Sequence, residues 1–599
     1  MSKTPARNEV DPKYTWNAKS VYASAEVWNA EAEQIIADIP TVKIFQGKLG
    51  ENAASLANGL EVVESLLVRA ERLYMYAGFS YSVDTTNQDA AAMADKASGV
   101  HGQVVAAISF VQPEMLTIGE QVLGQWLSED ARLAGYKHFV SNLFRKQAHL
   151  RSSEVEEILG MLANPFSGAS ATTSMLTNAD FKFAPAVDDN GNELDLTQGT
   201  LGKILNSTDH KARKNAWNNY LDKYLRHKNT LATSLGTSIK QNVFQMRARK
   251  HESTLGMSLF ENDIDTAVFH NLIDVFKKNL PVWQRYFEIR RKVLGVETLH
   301  PYDLWAPLTK NSPPVSYEQA VDWICEGLKP MGAEYVATLR KGALEERWVD
   351  VFPNQGKRNG AFSWGAPGTY PFIMMSFGNN MIGLSTLAHE LGHSMHSYLT
   401  WQNQPLAYSD YSLFVAEVAS NFQQAMVRDH LLKSNPEKDF QIAIIEEAMM
   451  NFLRYFFIMP TLARFELEVH LRAENGQPLT ADTMMALMAD LFAEGYGESV
   501  TIDRERVGMI WSTFGHLFSD YYVYQYATGI SGAHALSQRV LDDVPNAVED
   551  YTKFLKAGSS MYPLDALKMA GVDLTTPDAV EATFAVMSEY IDKLEELTA

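Results

Sequence analysis

The chain has 599 residues, 46% hydrophobic and 21% charged, with 52 Lys and Arg against 72 Asp and Glu for a formal charge of −20 at pH 7. That composition excludes a disordered chain, a collagen-like rod and a disulfide miniprotein, and the excess of acid argues against nucleic-acid or anionic-membrane partners. One cysteine, Cys325 in the apolar stretch Val321-Asp322-Trp323-Ile324-Cys325, permits neither an internal disulfide nor a cysteine metal site and reads as a buried structural thiol.

The first residues, MSKTPARNEVDPKYTW, are basic but lack an apolar stretch, so no secretory leader is expected. No apolar run approaches the ~20 residues of a membrane span, since even Phe456 to Ala463 is cut by Pro460. A cytoplasmic protein is therefore expected. Apolar stripes of helical period run through 26–38 and 54–80. Phe181 to Val187 and Glu193 to Leu196 then flank Asp188-Asp189-Asn190-Gly191, where Asn-Gly predicts a type I′ hairpin. This hairpin, with Thr197-Gln198-Gly199 after it, is read as a boundary between an N-terminal helical domain, 1–200, and a second domain, 201–599. Helical stripes resume: Ala212, Ala216, Trp217, Tyr220 and Tyr224 share a face, and 269–294, 413–432 and 440–470 follow. Between them, aromatic and β-branched runs on either side of Gly365-Ala366-Pro367-Gly368 predict a small antiparallel sheet over 360–377. The fold class is mainly α, without a fixed-period repeat.

The segment after that sheet carries His389-Glu390-Leu391-Gly392-His393. Residues four apart share a helix face, so both imidazoles can reach one ion while Glu390 stands beside it. Leu384, Leu387, Ala388, Leu391, Met395 and Tyr398 supply the apolar stripe that would anchor the helix. Two imidazoles suit zinc, whose catalytic sites take three protein ligands and leave the fourth place to water. The metzincin pattern, with glycine three residues past the second histidine and a third histidine beyond it, fails, because His396 and Leu399 stand there. A later carboxylate must then be the third ligand, from Asp410 or Glu417. Glu417 is favoured because an unpaired charge in the apolar Phe414-Val415-Ala416-Glu417-Val418-Ala419-Ser420 would be costly, and a metal ion would pair it. Asp410, in a polar loop, is expected to cap the next helix. His396 drifts around the helix from the two ligands and is assigned a supporting or packing role.

These residues resemble the thimet-oligopeptidase-like zinc peptidases, family M3, and within it the oligoendopeptidase F branch. Further segments carry the resemblance along nearly the whole chain: Trp16 with Ser20-Val21-Tyr22, Met175 to Asp180, Tyr302 to Leu308, Ser363-Trp364-Gly365 and Tyr521 to Gly529. It implies an elongated, two-lobed helical fold with a deep channel and one Zn²⁺ per chain on its floor. It further implies cleavage of internal bonds in short, unstructured peptides. It points to His516 in Phe514-Gly515-His516-Leu517, and to the tyrosines after it, as transition-state stabilisers. Tyr526 and Tyr522 are the assigned donors; Tyr521 and Tyr524 stay open, and core packing is the alternative for any of the four.

In the resulting scheme His389, His393 and Glu417 hold zinc, Glu390 is the general base, and His516 with Tyr526 and Tyr522 meets the oxyanion. The Phe372 to Phe377 strand is expected to pair with an extended substrate, and Gly529 and Gly532 to allow local movement or mark a loop turn. Two rival functions share the motif: an inactive peptide-binding or chaperone-like protein, and a zinc exopeptidase. The intact set of His389, Glu390, His393 and Glu417 argues against the first.

Overall fold

Helices form where the apolar stripes run, and side chains mark where they start. The Ser24 hydroxyl accepts from the Val27 amide at the start of Ala25–Lys43. Asn52 and Asp209 do the same for Ala53–Val83 and His210–Leu225, at 3.0 and 2.8 Å. The 269–294 stripe is two helices, Thr266–Lys278 and Leu280–Leu294, broken at Asn279 with Pro281 in the first turn of the second. The 440–470 stripe likewise has three parts: Lys438–Phe452, a π-helical turn Leu453–Ile458, and Met459–Glu474. Pro460 follows the π-helical turn in a helical run that continues without a break, so its missing N–H leaves one helical carbonyl without a donor next to that irregular turn. The computed structural model describes residues 4–309 and 313–599. Among them no helix is long and apolar enough to cross a membrane.

The hairpin forms with short strands, β1 (Ala186–Val187) and β2 (Glu193–Leu194), paired antiparallel. Its turn differs from the expected type I′, which needs positive φ at both central residues. Only Gly191 has positive φ, +83°, and the Gly191 amide donates to the Asp188 carbonyl at 3.1 Å. That is a type I turn closed by a left-handed glycine, the bulged form of a longer hairpin loop.

A three-stranded sheet is built from β3 (Val349–Asp350), β4 (Phe362–Trp364) and β5 (Phe372–Met374), in the order β3-β5-β4. The expected antiparallel pair is β4 with β5. The third strand, β3, pairs parallel to β5, so the sheet is mixed rather than wholly antiparallel. Buried Asp350 anchors β3, accepting from Arg7 Nη1 at 2.8 Å, pairing with Lys357 Nζ at 2.7 Å and accepting from the Trp16 amide at 3.2 Å.

Contacts group the chain into two compact units, each made of three stretches: 1–148, 314–431 and 536–571 in one, and 149–313, 432–535 and 572–599 in the other. Neither follows a single division at residue 200. The hairpin is packed, not a linker: Phe183 stacks on Tyr220 at 4.8 Å, and Asn219 Nδ2 donates to the Pro185 carbonyl at 2.8 Å. In the first unit, helices Ala25–Lys43, Ala53–Val83 and Gln88–Ile108 enclose Trp28, Ile35, Leu66, Leu73 and Val100. A second cluster joins the middle helix to the sheet through Trp16, Phe79, Phe372 and Met374. In the second unit Trp283, Phe287, Phe457, Phe492 and Tyr496 pack together, and the buried Arg213–Asp303 pair at 2.8 Å fixes the Tyr302 to Leu308 segment.

Candidate metal centre

The His389–His393 segment lies on the long helix Met381–Asn403, which opens with Asn380 Oδ1 accepting from the Gly383 amide at 2.8 Å. Leu384, Leu387, Ala388, Leu391 and Met395 are buried as the stripe predicts, while Tyr398 is partly exposed. Buried Ser394 on the same helix ties it to the sheet, with its Oγ 2.8 Å from Ser363 Oγ and donating to the Pro371 carbonyl at 3.2 Å.

A second helix, Leu413–Ser434, carries Glu417, Ser420, Asn421 and Gln424 at spacings of three and four, a polar stripe beside the buried Phe414, Val418, Ala419 and Phe422. Glu417 Oε2 stands 3.4 Å from His389 Nε2 and accepts from Ser420 Oγ at 3.0 Å. The Gln424 Nε2 amine donates to Ser385 Oγ at 2.6 Å, which turns its Oε1 towards His389 Nδ1 at 3.1 Å. Nδ1 is thereby the protonated nitrogen, and Nε2 keeps its lone pair on the side of Glu417.

Gly392 explains why the helices can come this close. A β-carbon there would sit 2.6 Å from both the Ala419 carbonyl oxygen and the Ser420 α-carbon. The glycine in the motif is thus a contact between backbones, one that sets the distance from His389 and His393 to Glu417.

Glu390 is buried, with one carboxylate oxygen lacking a hydrogen-bond partner among the described residues. Burial first, then the Glu417 charge, pushes its pKa up to about 7, against the His389 charge and a hydrogen bond from the Ser363 backbone. Desolvation holds His393 down to about 4, so its imidazole is neutral and free to coordinate. Ligand atoms of His389, His393 and Glu417 all lie within 4.8 Å of one another, the only group of three or more such residues among those described. A tetrahedral ion with bonds of about 2.1 Å separates its ligand atoms by about 3.4 Å, so this donor set fits one.

Asp410 lies outside the trio: it is exposed, and its Oδ1 accepts from the neighbouring Tyr411 amide at 2.8 Å. Glu417 is less buried than its apolar neighbours imply, its side chain keeping 21% of its accessible surface. His396 is buried and stacks on Tyr411 at 3.7 Å with rings 8° apart; its place is packing.

In the second unit His516, Tyr522 and Tyr526 meet one another. The His516 ring lies 5.7 Å from Tyr522 and 6.0 Å from Tyr526, and the Tyr526 hydroxyl donates to the Tyr522 hydroxyl at 3.2 Å. Partial desolvation, then the Arg454 charge, holds His516 below its ordinary pKa although its surface is open to solvent. Tyr521 and Tyr524 are core residues instead, each 1% exposed and both packed on Phe269. Gly529 and Gly532 mark no loop turn; they are buried within the helix Tyr524–Leu541. Nor is the Phe372 to Met374 part of the Phe372 to Phe377 strand free to pair with a substrate. β5 is the central strand, and the amides of Ile373, Met375 and Phe377 donate to Trp348, Asp350 and Val351.

The sequence reading overlooks Gln424, Ser385 and the close approach at Gly392. The stripe Glu417, Ser420, Asn421, Gln424 carries the signal for the first, since polar residues sharing one face among apolar neighbours must face polar partners.

A family model described as peptidase family M3 matches residues 204–586, and one described as oligopeptidase F matches 114–183. The chain is 39% identical to oligopeptidase PepF of Bacillus subtilis over 597 residues, covering 100% of this chain and 89% of that protein. It is 33% identical to group B oligopeptidase PepB of Streptococcus agalactiae, covering 99% and 98%. Oligoendopeptidase-F from Enterococcus faecium superposes with a TM-score of 0.74 at 30% identity, covering 95% of this chain and 98% of that one.

Proposed function

The chain belongs to peptidase family M3 and is a metallopeptidase, and from that premise we propose that it hydrolyses internal bonds of short, unstructured peptides with one Zn²⁺ held by His389, His393 and Glu417. The observation that carries this reading is the convergence of those three ligands beside a buried carboxylate with an unpartnered oxygen. When bound, zinc supplies Lewis acidity and brings the pKa of its water towards ~7.

The chain's own residues do the rest. Glu390 accepts the proton of the attacking water and returns it to the leaving amine, a role suited to a buried carboxylate with one oxygen lacking a partner among the described residues. Gln424 keeps the His389 imidazole in one tautomer and orientation. His516, Tyr526 and Tyr522 are assigned to the developing oxyanion. What supports this is their mutual contact, which sets an imidazole and two hydroxyl groups side by side.

The test is a peptide blocked at both ends, incubated with and without a chelator, with metal content by elemental analysis and products by mass spectrometry. Internal cleavage that vanishes with the chelator and returns with zinc is expected. Zinc-loaded protein that leaves the blocked peptide whole but trims free ends would make it an exopeptidase, and no cleavage at all would make it a binding protein.

A further inference from the structure

Tyr521 is a buried aromatic residue at φ +49°, in the left-handed region that penalises any residue with a β-carbon. Its surroundings hold it there. The Tyr521 amide donates to Glu466 Oε1 at 2.7 Å, its ring lies 4.9 Å from His470 and 5.9 Å from Phe269, and its hydroxyl is 2.9 Å from Thr254 Oγ1. Thr254 is fixed in turn, its amide and hydroxyl donating to Glu474 Oε1 at 2.8 and 2.6 Å.

Glu466 is 1% exposed on the helix Met459–Glu474, and its other oxygen has no partner among the described residues. A carboxyl so placed gains little from ion pairing, and its principal contact is the amide of a strained residue. The consequence of the strain is directional. The left-handed turn sends adjacent rings apart, Tyr521 into the core and Tyr522 alongside His516, just before the helix that carries Tyr526 begins at Tyr524.

We propose that Glu466 and Tyr521 act as a latch that positions Tyr522: Glu466 holds the Tyr521 amide, the Thr254 hydroxyl holds the ring, and the turn so fixed aims the Tyr522 hydroxyl. Both are positioning residues, and the inference rests on the role proposed above for Tyr522. Glutamine has the shape of this side chain and keeps an acceptor oxygen for the Tyr521 amide, so it is the close replacement.

The test compares Glu466→Leu, Glu466→Gln and Thr254→Val in the zinc-loaded full chain, each alone and combined with Tyr522→Phe. Glu466→Leu is expected to lower kcat about tenfold with KM within twofold, and Glu466→Gln to stay within threefold of the parent. In the Tyr522→Phe background the Leu effect should shrink to under twofold, because the group being aimed is gone. Where Tyr522→Phe itself lowers kcat, equal losses in both backgrounds, or a Leu variant with the parent's kcat, would overturn the latch. Thr254→Val gives the same comparison with a smaller loss if the Leu variant does not fold. If Tyr522→Phe alone leaves kcat unchanged, the role given to Tyr522 fails, while the latch is still read from 3-fluorotyrosine at position 522. Its fluorine resonance should shift or broaden in the Leu and Val variants, and an unmoved resonance would refute the positioning itself.

Discussion

Replacing Gly392 with alanine probes the centre without touching a ligand. The added β-carbon would stand 2.6 Å from the Ala419 oxygen and the Ser420 α-carbon, both backbone atoms that no rotamer change can move aside. To regain ordinary contact near 3.4 Å, the helices must part by about 0.8 Å at this point. Overpacking of that kind costs roughly 1–3 kcal/mol, against about 1 kcal/mol gained from alanine's helix propensity, so net stability should fall only modestly. Metal affinity should suffer more. Glu417 lies one turn from the contact and 3.4 Å from His389, and separating them by most of an ångström distorts a site whose bonds tolerate about 0.2 Å. We expect zinc affinity to fall about 10–100-fold, measured by competition with a chromogenic chelator, with a decrease of a few degrees in Tm. Parental zinc affinity and activity in a well-folded Gly392→Ala protein would refute the claim that this backbone contact sets the ligand spacing.

Glu390→Gln should keep zinc yet lower kcat by ~10²–10⁴ or more, since only the base is removed; near-parental turnover would exclude Glu390 from that role. Glu417→Ala should leave metal-free protein, whereas Asp410→Ala should bind zinc stoichiometrically, and elemental analysis giving the reverse would overturn the ligand assignment. Tyr526→Phe should lower kcat by ~10²–10³ with little change in KM and full zinc content; a change in Tm alone would make the tyrosine a packing residue. Burial holds His396 down to about 3, so between pH 6.5 and 3 the unfolded chain binds a proton that the folded chain refuses. Stability of the metal-free protein should therefore fall as pH drops through that window, by at most ~1.4 kcal/mol per unit from this group. His396→Phe, which keeps the stack on Tyr411, should flatten the slope of urea-denaturation free energy between pH 6.5 and 4.5, and an unchanged slope would contradict this.

What the sequence by itself determined is the part of the molecule governed by nearest neighbours. The 3.6-residue stripes give the helices because backbone hydrogen bonding and one buried face are local requirements. Spacing of four brings His389 and His393 together for the same reason. Glu417 is legible 24 residues further on because a charge in an apolar helix needs a partner. Packing against distant chain decided the rest. Nothing near Thr369 to Phe377 says that β3, more than twenty residues earlier, will take its second edge and make it a central strand. The four tyrosines from 521 to 526 look alike in sequence, yet a left-handed turn at Tyr521, held by Glu466 fifty-five residues away, separates the two core rings from the two beside His516. Gly392 reads as a weak spot in a helix until the Ala419–Ser420 backbone is seen against it. Local chemistry marks the candidate ligands, and long-range contact, which sequence spacing does not encode, sets their distances and their supports.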